Sequence, residues 1–192
     1  PCRHEIDENY KRMKYVRYAD DFLIGIIGSK ADCEKIKAEI AQYMSDTLKL
    51  ELSAEKTLIT HAQKTAKFLG YEISVRKSSA MKRNRKGVLQ RDFNGRVMLL
   101  LPMETVKKKL KDYNAIIFEQ TNGCEVWKPK SRSYLTAKKP QDILAQYNWE
   151  IRGFYNYYRI ANNVSATCSK FGYIMEYSMY MTLAQKLRSS IS

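Results

Sequence analysis

Two adjacent carboxylates, Asp20 and Asp21, interrupt an apolar run that reads Tyr15-Val-Arg-Tyr-Ala-Asp-Asp-Phe-Leu-Ile-Gly-Ile26. Side-by-side anions repel, and a compensating cation is the usual remedy. Magnesium suits the pair, because it prefers oxygen ligands and takes one or two carboxylates together with substrate phosphates. By itself the dipeptide reads first as an ordinary exposed turn, since Asp is common there. Other chemistry finds less support. Cys2, Cys33, Cys124 and Cys168 are scattered without a Cys-x-x-Cys, and His4 and His61 lack the companions of a zinc site or a nucleophilic triad. These are read as reduced thiols, with Cys33 in the core.

The flanks say how the pair is held. Tyr15, Val16 and Tyr18 before it, and Phe22, Leu23, Ile24 and Ile26 after it, are strand formers, so a hairpin with Ala19-Asp20-Asp21 as its tight connection is expected. Cys33, Ile36, Ile40, Met44 and Leu48 then recur at helical steps, predicting a helix over 30–48. Leu50 to His61 reads as extended pieces around a turn at Ser53-Ala54. Residues 66–75 read as one strand.

From Arg76 to Arg96 there are eight cations and one anion. This reads as a mobile basic loop followed by a strand pair, Val88-Leu89 with Val97–Leu101, turning at Asn94-Gly95. After Pro102, Val106, Leu110, Tyr113 and Ile117 predict one helix. A polar, Lys-rich connection follows over 119–140. Ile143, Tyr147, Ile151, Phe154 and Tyr158 predict a second helix, 140–160, and a third is expected at 169–188. The fold class is α+β, with a boundary near Pro102.

The net charge of +14 exceeds what solubility needs and points to a polyanion, nucleic acid before an anionic membrane. No apolar run approaches the roughly 20 residues of a membrane span, and no signal peptide precedes the charged start. A cytoplasmic protein is expected, and the start at Pro1 suggests a fragment.

Four ordered stretches carry a family resemblance: Tyr18-Ala19-Asp20-Asp21, then Leu52-Ser-Ala-Glu-Lys56-Thr57, then Phe68-Leu69-Gly70-Tyr71, then Ile151-Arg-Gly-Phe-Tyr-Asn-Tyr-Tyr158 with Ala161-Asn162-Asn163. The chain resembles the reverse transcriptase/maturases encoded by group II introns. The resemblance implies the C-terminal half of a polymerase palm (1–101), with antiparallel hairpin, helix and further strands. A three-helix thumb or maturase domain (102–192) would follow.

It implies RNA-directed DNA polymerase activity in the full protein, with a second role binding intron RNA as a splicing maturase. Asp20 and Asp21 would help hold two magnesium ions about 4 Å apart, with a further Asp outside this chain. Lys56 would serve as proton donor to pyrophosphate. Tyr18 and Ala19 would floor the site, and Leu69, Gly70 and Tyr71 would grip the primer, the glycine admitting its backbone. Arg83, Arg85 and Lys86 would touch template or primer backbone. Arg152, Asn156, Arg159 and Asn162 would face RNA or the primer minor groove.

The implied partners are an RNA template such as the intron RNA, a DNA primer and deoxynucleoside triphosphates. The N-terminal half of the same protein or a second copy are further candidates, and the setting would be a bacterial cytoplasmic ribonucleoprotein. An RNA-binding maturase without polymerase activity, and a reverse transcriptase of another bacterial retroelement, are the competing readings.

Overall fold

The computed structural model describes residues 10–77, 81–91 and 95–190, and of residues 90 and 91 the backbone only. The chain divides into two compact units, residues 1–69 and 70–192. The mixed fold holds antiparallel strand pairs and four α-helices.

In the first unit β1 (Arg12–Tyr18) and β2 (Asp21–Ile27) form the expected antiparallel hairpin, in register from Arg12 opposite Ile27 to Tyr18 opposite Asp21. Helix α1 (Lys30–Leu48) begins in a capping box. The Ser29 hydroxyl accepts from the Asp32 N–H, while the Asp32 carboxylate accepts from the Ser29 N–H. The apolar stripe of α1 is at most half-buried. Cys33 is therefore half-buried rather than a core residue. Residues 49–65 contain no strand or helix, and β3 (Ala66–Phe68) closes the unit.

The strand expected over 66–75 is broken. Leu69 and Gly70 take φ of 51° and 77°, a tight-turn geometry that ends β3 before β4 (Tyr71–Arg76) begins. Pairing in the basic stretch also differs from expectation. β5 (Met81–Arg83) pairs with β6 (Leu89–Arg91), whereas β7 (Arg96–Leu100) pairs with β4. Val88-Leu89 thus belongs to a separate ribbon and not to a hairpin with β7. Of the expected Asn94-Gly95 turn, Asn94 lies outside the described residues.

Helix α2 (Met103–Asp112) stops five residues before Ile117, because Asn114 takes φ of 53° and turns the chain into β8 (Ile116–Thr121). β8 pairs with β9 (Cys124–Pro129) across Asn122-Gly123, both at positive φ as a two-residue turn requires. The connection read as polar is thus a hairpin and a short 3-10 turn, Ser133–Leu135. Helix α3 (Pro140–Tyr158) starts on a proline preset for a first helical turn. Helix α4 (Val164–Leu187) starts five residues earlier than expected.

The core lies here. Val106 and Leu110 of α2, Ile143, Tyr147 and Phe154 of α3, and Phe171, Ile174 and Met175 of α4 are buried together with Ala115 and Leu135. Phe154 stacks on Phe171 at 4.1 Å between ring centres. Arg132, 2% exposed, is the buried cation of this unit. Its guanidinium donates to both Glu150 oxygens at 2.6 and 2.9 Å and lies 4.8 Å from the Tyr147 ring centre. Burial alone would lower its pKa; the Glu150 hydrogen bonds and charge, with Tyr134, outweigh that and push it up. Tyr147, Ser178 and Thr182 share a buried hydroxyl network beside it.

Candidate active site

The hairpin tip is narrower than the three-residue connection expected. Ala19, at φ 50°, and Asp20 form the turn, and Asp21 is already the first residue of β2, directly across from Tyr18. The Arg17 side chain donates to the Ala19 carbonyl at 2.7 Å, so the nearest cation braces the turn backbone. Among the described residues neither carboxylate has an ion-pair or hydrogen-bond partner. Both are exposed, as is Tyr18 at 66%. Two free carboxylates at a braced tip fit a hard divalent cation. No group of three potential ligands occurs among the described residues, so such a cation would need another from elsewhere.

Lys56 belongs to the same unit. It is exposed in a turn closed by the Thr57 N–H donating to the Ser53 carbonyl at 3.0 Å, and Lys37 of α1 donates to the Thr57 carbonyl at 2.5 Å. Among the described residues no hydrogen bond or ion pair involves Lys56.

Leu69 ends the first unit; the remaining expected site residues lie in the second, and the fold uses several of them. An added Cβ on Gly70 would meet the Tyr158 hydroxyl at 2.8 Å. The close approach that Gly70 permits is therefore, in the folded chain itself, to Tyr158. The Tyr71 hydroxyl donates to the Tyr157 carbonyl, and its ring packs 5.2 Å from that of Tyr158. Burial pushes the hydroxyl pKa of Tyr71 and Tyr158 up. β4 is thereby fastened to the end of α3.

Asn162 is spent similarly: its side-chain oxygen accepts from the Leu99 N–H at 2.9 Å, and its own N–H donates to the Leu99 carbonyl at 2.7 Å. Asn163 does the same for Leu101 with its carboxamide.

Arg152, Asn156 and Arg159 remain exposed on or just after α3. Gly153, with open space where a side chain would be, and Trp149, 73% exposed, share that face. Trp149 went unread, although its i, i+3, i+7 spacing with Arg152 and Asn156 places the three together. Arg83, Arg85 and Lys86 sit on the β5–β6 ribbon, whose turn is ordered. Asn84 accepts from the N–H groups of Lys86 and Val88 at 2.9 and 3.0 Å, and Arg83 donates to the Gly87 carbonyl at 3.0 Å.

The comparisons with known proteins decide the family. The profile described as "Type II intron maturase" matches residues 94–192, just over half of the chain. The chain belongs to the type II intron maturase family. The profile described as "Reverse transcriptase (RNA-dependent DNA polymerase)" matches residues 2–73, which include the hairpin tip, Lys56 and the Leu69-Gly70-Tyr71 turn.

Among relatives of this family member, Group II intron-encoded protein LtrA of Lactococcus lactis subsp. cremoris is 42% identical over 193 residues, covering 100% of this chain and 31% of its own length. Putative COX1/OXI3 intron 1 protein of Saccharomyces cerevisiae is 37% identical over 187 residues, covering 95% of this chain and 22% of its own length. Protein YkfC of Escherichia coli is 31% identical over 105 residues, covering 55% and 24%. The chain spans less than a third of the length of these relatives. The ribbon lies between the two profile matches.

Proposed function

We propose that this chain is the downstream palm (1–101) and thumb or maturase part (102–192) of a group II intron-encoded RNA-directed DNA polymerase that also holds intron RNA. The observation that carries the reading is the braced tip, where two exposed, unpaired carboxylates stand in a chain of the intron maturase family.

Asp20 and Asp21 fit magnesium, and a bound divalent pair, completed by a carboxylate outside this chain, supplies charge stabilisation for phosphoryl transfer. Arg17 keeps the turn backbone fixed so that the carboxylates meet a primer end in one position. Tyr18 and Ala19 form the floor beside them. Lys56 Nζ holds the proton that leaving pyrophosphate takes. Leu69, Gly70 and Tyr71 present backbone to the primer strand, and the anchoring of Tyr71 on α3 keeps that backbone still.

The ribbon cations Arg83, Arg85 and Lys86 neutralise phosphates without reading sequence. Arg152, Asn156 and Arg159 face RNA from α3, while Asn162, its carboxamide oxygen committed to Leu99, has only its NH2 to offer. No helix among the described residues is long and apolar enough to cross a membrane. The setting proposed is a ribonucleoprotein in the bacterial cytoplasm, with RNA template, DNA primer and deoxynucleoside triphosphates as partners.

The test uses the complete protein carrying Asp20→Asn with Asp21→Asn, assayed for primed DNA synthesis on an RNA template and, separately, for intron RNA binding. Synthesis should be lost and binding kept. A double variant that still copies RNA would remove this hairpin from the active site. A wild-type protein that binds RNA but never synthesises would leave a maturase alone.

A further inference from the structure

Lys37 stands where the pattern of α1 calls for an apolar side chain. It is half-buried on the same side of the helix as Cys33, Ile36, Ile40 and Met44. The exposed lysines of α1 behave differently, Lys30 pairing with Glu34 and Lys35 with Glu39 one turn on. Among the described residues Lys37 has no carboxylate partner. Its ammonium donates instead to the Thr57 backbone carbonyl at 2.5 Å.

That bond reaches a segment with little else to hold it. Residues 49–65 contain no helix or strand, and among the described residues this is the hydrogen bond that joins residues 51–60 to one. Thr57 also closes the turn around Lys56, its own N–H donating to the Ser53 carbonyl at 3.0 Å. The peptide planes on both sides of Thr57 are thereby engaged, and the Lys56 Cα lies in the first of them. The direction in which the Lys56 side chain leaves the backbone is thus referred to α1.

The start of α1 is tied in turn to the hairpin. β2, which begins at Asp21, runs into the helix through Gly28 and the Ser29 cap, and Lys11 beside β1 donates to the Asp32 carboxylate at 2.7 Å. One helix therefore carries the hairpin at its first turn and the Lys56 turn two turns further on.

We infer that Lys37 is a positioning residue, which holds the Lys56 ammonium at a fixed place relative to the hairpin-tip carboxylates. Its role rests on the reading of Lys56 as proton donor given above. In that step an Nζ–H bond of Lys56 breaks, the leaving pyrophosphate oxygen takes the proton, and Lys56 is left neutral. A donor displaced by about 1 Å can lose as much as roughly a hundredfold in rate.

The test uses the complete protein in single-nucleotide incorporation on a primed RNA template, read as the maximal rate and, separately, as the nucleotide concentration that gives half of it. Four variants are compared with wild type: Lys56→Ala; Lys37→Met, which keeps the stem and removes the ammonium; Lys37→Arg, which returns a donor; and Lys37→Met with Lys56→Ala. Lys56→Ala should lower the maximal rate about a hundredfold. Lys37→Met should lower it about tenfold, the value of one hydrogen bond from a charged donor, with the half-saturating concentration unchanged. Lys37→Arg should recover most of the rate. The double variant should be no slower than Lys56→Ala, because with that ammonium gone there is nothing left to position. Amide hydrogen exchange in Lys37→Met should quicken over residues 53–58 and stay as in wild type over β1 and β2.

A double variant about tenfold slower than Lys56→Ala would show that Lys37 serves the fold and not Lys56, and would overturn the inference. Lys37→Met working at the wild-type rate while Lys56→Ala is slow would overturn it too. So would a Lys37→Met protein that no longer folds, since the amine would then be holding the unit as a whole. In none of these cases would Lys56 lose its proposed role. Lys56→Ala at the wild-type rate would instead remove the proton-donor reading, and the positioning role with it.

Discussion

Between Arg12 and Phe68 the structure has no fully buried side chain, whereas from Tyr71 onward it has a continuous core with Val106, Leu110, Ile143, Tyr147 and Met175 at or below the reach of solvent. The unit that carries Asp20, Asp21 and Lys56 is held by a hairpin ladder and a capped, half-buried helix. The unit that carries the maturase match is held by packing, a buried ion pair and hydroxyl networks. The exposed carboxylate pair and the packed core are thus separated along the chain. Met13, Tyr15 and Val16 on β1 are exposed, and Asp20 and Asp21 belong to the same hairpin.

The largest effect that would break this contrast concerns Arg132. Glu150→Ala leaves a buried guanidinium without its counter-charge, a change worth about 3–5 kcal/mol. Urea unfolding should show that loss in the second unit only, and Glu150→Gln, which keeps one acceptor, should lose less. If Glu150→Ala left stability unchanged, the packed unit would not depend on the ion pair.

Gly70→Ala comes next. It places a side chain at φ 77° and drives a methyl toward the Tyr158 hydroxyl, which together should cost roughly 1–3 kcal/mol. Adding Tyr158→Phe removes the hydroxyl and should restore the steric part alone. A double variant no better than the single one would show that backbone strain is the whole cost.

The smallest effect belongs to the first unit. Hydrogen bonds from the Lys11 ammonium and from Ser29 hold the Asp32 carboxyl at about 2, against an ordinary 3.8. Because this folded-state value is depressed, the cap's contribution is complete above the ordinary value and is lost as pH falls toward 2. A carboxyl carbon titration of Asp32 should find that low midpoint, and Ser29→Ala should raise it. A midpoint near 4 in the wild type would mean that α1 starts without this cap.

The comparison also explains which elements were legible in sequence. Helices α1 and α3 carry one apolar stripe each at helical spacing, and the β1–β2 hairpin pairs two apolar runs across a short polar turn. All three rest on local pattern. The β8–β9 hairpin also had a local signal, Asn122-Gly123 between Ile116-Ile117-Phe118 and Val126-Trp127, but surrounding lysines made the stretch read as a linker. For the ribbon, two turn candidates compete, Gly87 and Asn94-Gly95, and choosing between them requires knowing that β7 has β4 as its partner. The early start of α4 escaped because Ser165, Ala166 and Thr167 have no apolar period. As candidates, Asp20, Asp21 and Lys56 were readable by type and order. That Asn162 clips Leu99, and that Gly70 makes room for Tyr158, depends on residues 63 and 88 positions away, beyond any local window.

Arg76 and Arg96 face each other as the last pair of the β4–β7 ladder, and the β5–β6 ribbon belongs to the stretch of chain between them. The two ends of that stretch are therefore already adjacent. An excursion with joined ends can be shortened, lengthened or exchanged for another ribbon while the ladder stays in register. The basic ribbon is in that sense a detachable tool on a fixed handle, and proteins of this build can change what they touch there without rebuilding what holds it.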